Sequence, residues 1–134
     1  MLPKLKDLLV YDNNKVVSYF CRQYPSVDIN EAAQIFKDLL GWLWISVYRE
    51  GNGKITQFIT PLNHLDTMWH VFILHTRDYF AFCDTYFSHY LHHEVESEDK
   101  QIEFSTDNLR ELLSCCYDQL GEAWLKRNFA INNK

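Results

Sequence analysis

Apolar residues recur along most of this chain at the three- and four-residue spacing of an α-helix. The clearest stripe is Ala32, Ile35, Phe36, Leu39, Leu40, Leu43, Trp44 and Val47, which lays one apolar face along about six helical turns. Asp28 followed by Glu31 is a capping-box pattern with Asp in place of Ser or Thr, and it sets the start of this helix. Gly51, Asn52 and Gly53 set its end. Upstream, Asn13 or Asn14 can cap a shorter helix that carries Val16, Val17 and Phe20 and is ended by Pro25. Leu2 to Val10 reads as a further short helix.

Downstream of the glycine turn, Lys54 to Thr60 alternates loosely and predicts an extended connector or a short strand. Thr60 then precedes Pro61, a favoured order for a cap and the first helical residue. The helix so opened carries Leu62, Leu65, Met68, Trp69, Phe72 and Ile73 on its apolar side. Thr76 can cap the next helix, from Arg77 to about Tyr90, whose aromatics Tyr79, Phe80, Phe82, Tyr86, Phe87 and Tyr90 point nearly all round. A helix apolar on every face is expected at the centre of its domain. Glu94 to Glu103 holds five acids against one lysine and reads as a solvated loop. Thr106 can cap a final helix with Leu109, Leu112, Leu113, Cys116, Tyr117 and Leu120 on one face, which Gly121 breaks or bends before Trp124, and the tail from Ile131 frays. The expected fold is all-α, a single-domain bundle of about five or six helices over residues 1–134.

Composition fits that picture and narrows the function. A chain of 134 residues removes roughly two-thirds of its unfolded surface from water and needs neither metal nor disulfide merely to fold. With 47% hydrophobic and 16% aromatic residues it has ample core material. The net charge of −5, with no basic cluster beyond Lys126 and Arg127, argues against nucleic acid as a partner. The longest apolar-looking stretch, Ile35 to Tyr48, is interrupted by Lys37, Asp38 and Ser46 and is too short to span a bilayer, so no membrane partner is expected. The amino-terminal residues lack the apolar run and small-residue cleavage site of a secretory signal. Cys21, Cys83, Cys115 and Cys116 form neither a CxxC pair nor a spaced disulfide framework, and they read as reduced thiols in a cytoplasmic chain.

Candidate chemistry concentrates in one stretch. Between residues 66 and 93 the chain places Asp66, His70, His75, Tyr79, Cys83, His89, His92 and His93, including five of its six histidines. Asp66 and His70 are four residues apart, within about 40° on a helix. An aspartate that accepts a ring N–H fixes the tautomer and leaves the other nitrogen available to a metal or a general base. The alternative role for the pair is to staple neighbouring helices, and with no third partner evident that role weighs more. His75 lies about 140° around the helix from His70, so the two share a direction only if the helix ends between them. A zinc or iron site would need His92 or His93 brought back by the following turn, with Cys83 or Asp66 as a further ligand. A buried hydrogen-bonded histidine network outweighs it. Cys83 as a nucleophile lacks any base placed by sequence to activate it, and a packed core thiol is the stronger reading. Signatures of hydrolases, P-loop proteins, dinucleotide-binding enzymes and kinases are missing.

The segment LDTMWHVFILHTRDYFAFCDTYF with the following YLHHEV resembles the glycine-rich domain-containing protein-like family, whose pattern is approximately DxxWHxxILHTxxYxxFC, then two histidines and a proline. Trp69, His70, His75, Thr76, Tyr79, Cys83, His92 and His93 fall in place, and the likeness extends over about Ile35 to Val95, with its motif at residues 66–95. Ser88 stands where that family commonly has glycine, Val95 where it has proline, and Phe72 where its plant branch has a second histidine. The resemblance implies an all-α fold without a settled chemistry, and a motif that fastens three helices together, with Trp69, Thr76, Tyr79 and Cys83 as structural residues. In size and composition the chain is also similar to bacterial inhibitors of effector enzymes that deamidate or transglutaminate ubiquitin.

Together these readings lead us to expect a small helical module that binds and regulates, most simply by inhibition, a partner protein such as a bacterial effector enzyme acting on ubiquitin. No catalytic residue and no cofactor is assigned, although homodimerisation and delivery into a host cell by a non-Sec route are both compatible with the sequence. The rival is a metal- or histidine-dependent enzyme built on Asp66, His70, His75, His92 and His93, with zinc or iron as the ion.

Overall fold

In a computed structural model, which describes residues 2–54, 56, 60–93 and 105–129, the chain is all-α. Its helices are α1 (Leu5–Leu8), α2 (Asn14–Gln23), α3 (Ile29–Gly51), α4 (Asn63–Leu74), α5 (Thr76–Phe87), α6 (Thr106–Leu120) and α7 (Glu122–Phe129), with a 3-10 turn, Thr60–Leu62, leading into α4. There are thus seven α-helices among the described residues, more than the pattern suggested. The short helix expected at Leu2 to Val10 is present as α1, barely one turn long, and the additional helix is α7, which Gly121, at φ 95°, separates from α6.

The helix boundaries follow from local chemistry. Asn13 caps α2, its side chain accepting from the Lys15 and Val16 amides, and Asp28 caps α3 by accepting from the Asn30 and Glu31 amides. Each carboxyl or amide oxygen satisfies donors that the first helical turn leaves unpaired. Ser105 caps α6 through the Asn108 amide, one position before the expected Thr106. Thr76 is likewise the first residue of α5 rather than its cap, because His75 is the single residue between α4 and α5. The segment expected as a connector or short strand lies outside the described residues except at Lys54, Thr56 and the backbone of Thr60, and the acidic segment from Glu94 to Glu103 and the tail from Ile131 lie wholly outside them.

The central helix is α3, not the aromatic α5. Every residue from Asp38 to Ile45 is buried, on all sides of the helix, and α3 packs against α1, α2, α4 and α6. On α5, by contrast, Phe80, Ala81, Asp84 and Thr85 face solvent, while Tyr79, Phe82, Cys83 and Phe87 are buried. Aromatic content on every side of α5 did not translate into burial on every side, since an aromatic ring can lie half in solvent.

The buried Asp38 joins the last helix to the central one. Its carboxylate accepts from Arg127 Nε at 2.9 Å and Nη2 at 2.8 Å, from Gln34 Nε2 at 2.9 Å and from Asn128 Nδ2 at 3.1 Å. The Trp124 indole donates to the Asp38 carbonyl at 3.1 Å and stacks on Trp42 with the rings 3° from parallel. Gly41, one turn along α3, allows this approach: a Cβ there would lie 3.2 Å from both Leu120 Cδ2 and Trp124 Nε1. A charge this deeply buried is tolerated because each lone pair has a donor.

Among the described residues no helix is long and apolar enough to cross a membrane.

Candidate functional site

The histidine-rich segment folds back on itself. Helix α4 carries Asp66, Trp69 and His70, helix α5 carries Tyr79 and Cys83, and the chain leaves α5 through Ser88 in the left-handed conformation, at φ 63° and ψ 12°. That reversal lays the stretch from Leu91 to His93 against both helices. A left-handed residue at a helix C-terminus is the usual means of reversing the chain there, and glycine suits it best because it lacks a Cβ.

Two sets of side-chain contacts hold this returning segment. The first is centred on Tyr79, whose hydroxyl donates to the Leu91 carbonyl at 2.6 Å and accepts from the Trp69 indole N–H at 2.9 Å. Burial pushes the Tyr79 phenol well above its ordinary pKa, despite the opposing hydrogen bond from Trp69. Burial likewise raises the Cys83 thiol, against the smaller opposing influences of the Leu91 backbone and the Tyr79 hydroxyl. A thiol so placed stays protonated at neutral pH and is a poor nucleophile.

The second set joins Asp66 to His93, Oδ1 to Nε2, at 2.5 Å. The His93 ring lies between two others, stacked on Trp69 with centroids 4.2 Å apart and on His70 with centroids 4.6 Å apart. His93 is 18% exposed and Asp66 31%. His70, in contrast, is 59% exposed, and its Nε2 stands 4.0 Å from Asp66 Oδ1, beyond hydrogen-bond length. The third partner that the Asp66–His70 spacing left unassigned is therefore His93, and it takes the carboxylate for itself.

The remaining candidates are directed elsewhere. His75, between α4 and α5, pairs through Nδ1 with the Val71 carbonyl at 2.9 Å and sets its ring edge-on to Tyr19. His92 packs edge-on against Tyr90. The structure thus brings Asp66, His70 and His93 together, with one donor atom from each lying within 4.8 Å of the others, and leaves His75 and His92 outside that group. Thr76 begins α5 with its side chain exposed. His89 turns back on its own backbone, Nδ1 to the Phe87 carbonyl at 3.0 Å.

Sequence reasoning missed the Asp38 cluster and with it the role of His64, whose Nε2 lies 2.7 Å from Asn128 Oδ1. The signal was an acidic residue inside an apolar run. Apart from Gln34 on the same helix, however, its side-chain partners Arg127 and Asn128 lie 89 and 90 residues away, which spacing along the chain cannot reveal.

A shallow cleft of about 500 Å³ opens between the end of α3 and α6, lined by Arg49, Lys54, Asp107, Arg110, Glu111 and Cys115 among others. Arg49 itself is buried and engaged, donating to Thr56 Oγ1 and pairing with Glu111. Burial raises the pKa of the Cys115 thiol beside it, more than the arginine lowers it.

Compared with known proteins, the chain matches one family model, UCP032817-like, over residues 10–127. No curated protein matches it, and no solved structure does.

Proposed function

This chain belongs to the UCP032817-like family, and we propose that it is a non-catalytic helical module that acts by binding a partner protein. One observation carries the reading: Tyr79, Cys83 and the Asp66–His93 pair are occupied in holding the fold, while bulky apolar side chains on the same two helices face water. Tyr79 and Cys83 are buried, with their pKa values raised, and Asp66 is taken up by His93. On the same two helices Leu74 is 67% and Phe80 60% exposed. Exposed aromatic and aliphatic anchors beside a rigid backbone are what protein interfaces use, because little side-chain or loop entropy is lost when they dock.

The test is site-specific photo-crosslinking. A photoreactive phenylalanine analogue is placed at Leu74, at Phe80 and, as a control, at the exposed Asp118 on α6, in the source cell. The proposal expects one discrete adduct from the first two positions and none from Asp118, with mass spectrometry distinguishing a foreign partner from a second copy of this chain. Adducts of equal yield at all three positions, or none at any, would contradict it.

A further inference from the structure

The geometry points to a divalent metal site formed by Asp66 Oδ1, His70 Nε2 and His93 Nε2, selective for zinc-class ions over calcium or magnesium. Two imidazoles and one carboxylate are a ligand set suited to borderline ions, whereas calcium and magnesium prefer oxygen alone. The three donor atoms already lie within 4.8 Å of one another. An ion with bonds of about 2.0–2.1 Å in tetrahedral geometry holds its donors roughly 3.3 Å apart. The observed Asp66 separations, 2.5 Å to His93 and 4.0 Å to His70, bracket that value. One contact must therefore open and the other close, each by less than about an ångström.

The burial pattern says which parts are fixed and which adjust. His93 is held by its stack on Trp69, whereas the Asp66 carboxylate, 31% exposed on α4, can turn by the fraction of an ångström that opens the shorter contact. His70 is 59% exposed, so its ring can turn in water and bring its lone pair towards Asp66 without disturbing the core. Because the His70 and His93 rings are only 25° from parallel, this turn of His70 is what makes the two lone pairs converge. Binding through Nε2 also requires the His93 ring proton to reside on Nδ1, so the ion takes the place of the proton now shared with Asp66. Three protein donors leave a fourth position for water. Such an ion would tie the Leu91–His93 segment to α4 more firmly than the hydrogen bond does, since metal-ligand binding energy adds to folding energy.

The test uses untagged protein stripped with chelator and titrated with zinc or cobalt chloride alone. Calorimetry should find one equivalent bound, and bound cobalt should show the intense visible bands of a four- or five-coordinate nitrogen and oxygen site. Calcium and magnesium should not compete. His70→Ala should keep the fold and weaken zinc binding by roughly tenfold or more, since losing even an outer-shell partner costs that much. His75→Ala and His92→Ala should bind as the parent does. At a fixed zinc concentration the melting temperature of the parent should rise more than that of His70→Ala. Three results would each overturn the site: no saturable binding at millimolar metal, unchanged affinity in His70→Ala, or an equal loss in the His75 and His92 variants.

Discussion

Asp66 and His93, 27 residues apart in sequence, are joined Oδ1 to Nε2 at 2.5 Å, and this bond closes the returning chain onto α4. It also decides what the histidine nearest Asp66 in sequence does. His70 sits one turn away on the same helix, yet it is left as an exposed ring stacked on the outside of His93. The carboxylate that spacing alone would assign to His70 instead braces a segment on the far side of α5.

Tyr79→Phe removes the donor to the Leu91 carbonyl and the acceptor that the Trp69 indole uses, with little change in volume. We expect a loss of about 1–2 kcal/mol, the cost of a buried hydrogen-bond pair left half made. Urea denaturation followed by far-UV circular dichroism measures it. Tyr117→Phe, at an exposed tyrosine, should change stability by no more than about 0.5 kcal/mol, and equal effects for the two would argue against the Tyr79 brace.

Ser88→Gly should stabilise the protein. Ser88 is the one non-glycine residue with positive φ among the described residues, and its side chain is exposed. A Cβ in the left-handed region costs about 1–2 kcal/mol, and glycine's extra freedom in the unfolded chain returns part of that, leaving a gain of about 0.5–1 kcal/mol. Ser88→Val should move the melting temperature the opposite way. A fall in melting temperature for the glycine variant would mean that the turn is held by something other than backbone geometry.

Asp38→Ala leaves Arg127, Gln34 and Asn128 without their shared acceptor. Removing one member of a buried ion pair costs about 3–5 kcal/mol, and because Arg127 is 41% exposed and can return to water, the lower end applies. Arg127→Ala also destabilises, by stranding the carboxylate. In the double variant the two losses should fall well short of additive, as they do for residues that act as a pair. Additive losses in a thermodynamic cycle would show that α7 is held by packing alone.

Thiol reactivity should divide the four cysteines. Cys83 and Cys116 are buried, and burial pushes the Cys116 thiol up to about 12. At neutral pH neither offers thiolate to an alkylating reagent until the protein unfolds. Peptide mapping after brief iodoacetamide treatment should find label first at the partly exposed Cys21. Early labelling of Cys83 would reopen the nucleophile reading.

Much of the fold is legible in the chain because its determinants are local. The Asn13 and Asp28 caps, the α3 stripe, the glycine turn after it and the Gly121 break all act within a few residues, where periodicity and capping rules apply. The motif was legible as a cluster, but spacing left open which histidine meets Asp66. Spacing shows that Asp66 and His70 share a face, but not that a left-handed Ser88 turns the chain so that His93 arrives first. Which helix is central was hidden as well. The choice depends on Asp38 and Gly41 being acceptable inside the core, and that rests on Arg127, Asn128 and Trp124 far along the sequence.

The most direct test of the histidine cluster as a brace is urea unfolding, in the presence of chelator, of Asp66→Ala, His93→Ala and His70→Ala side by side. The account predicts losses of about 1–2 kcal/mol for each of the first two, no larger loss when they are combined, and a change within about 0.5 kcal/mol for His70→Ala. A His70→Ala loss as large as that of Asp66→Ala, with His93→Ala near neutral, would contradict it and return the carboxylate to the histidine one turn away.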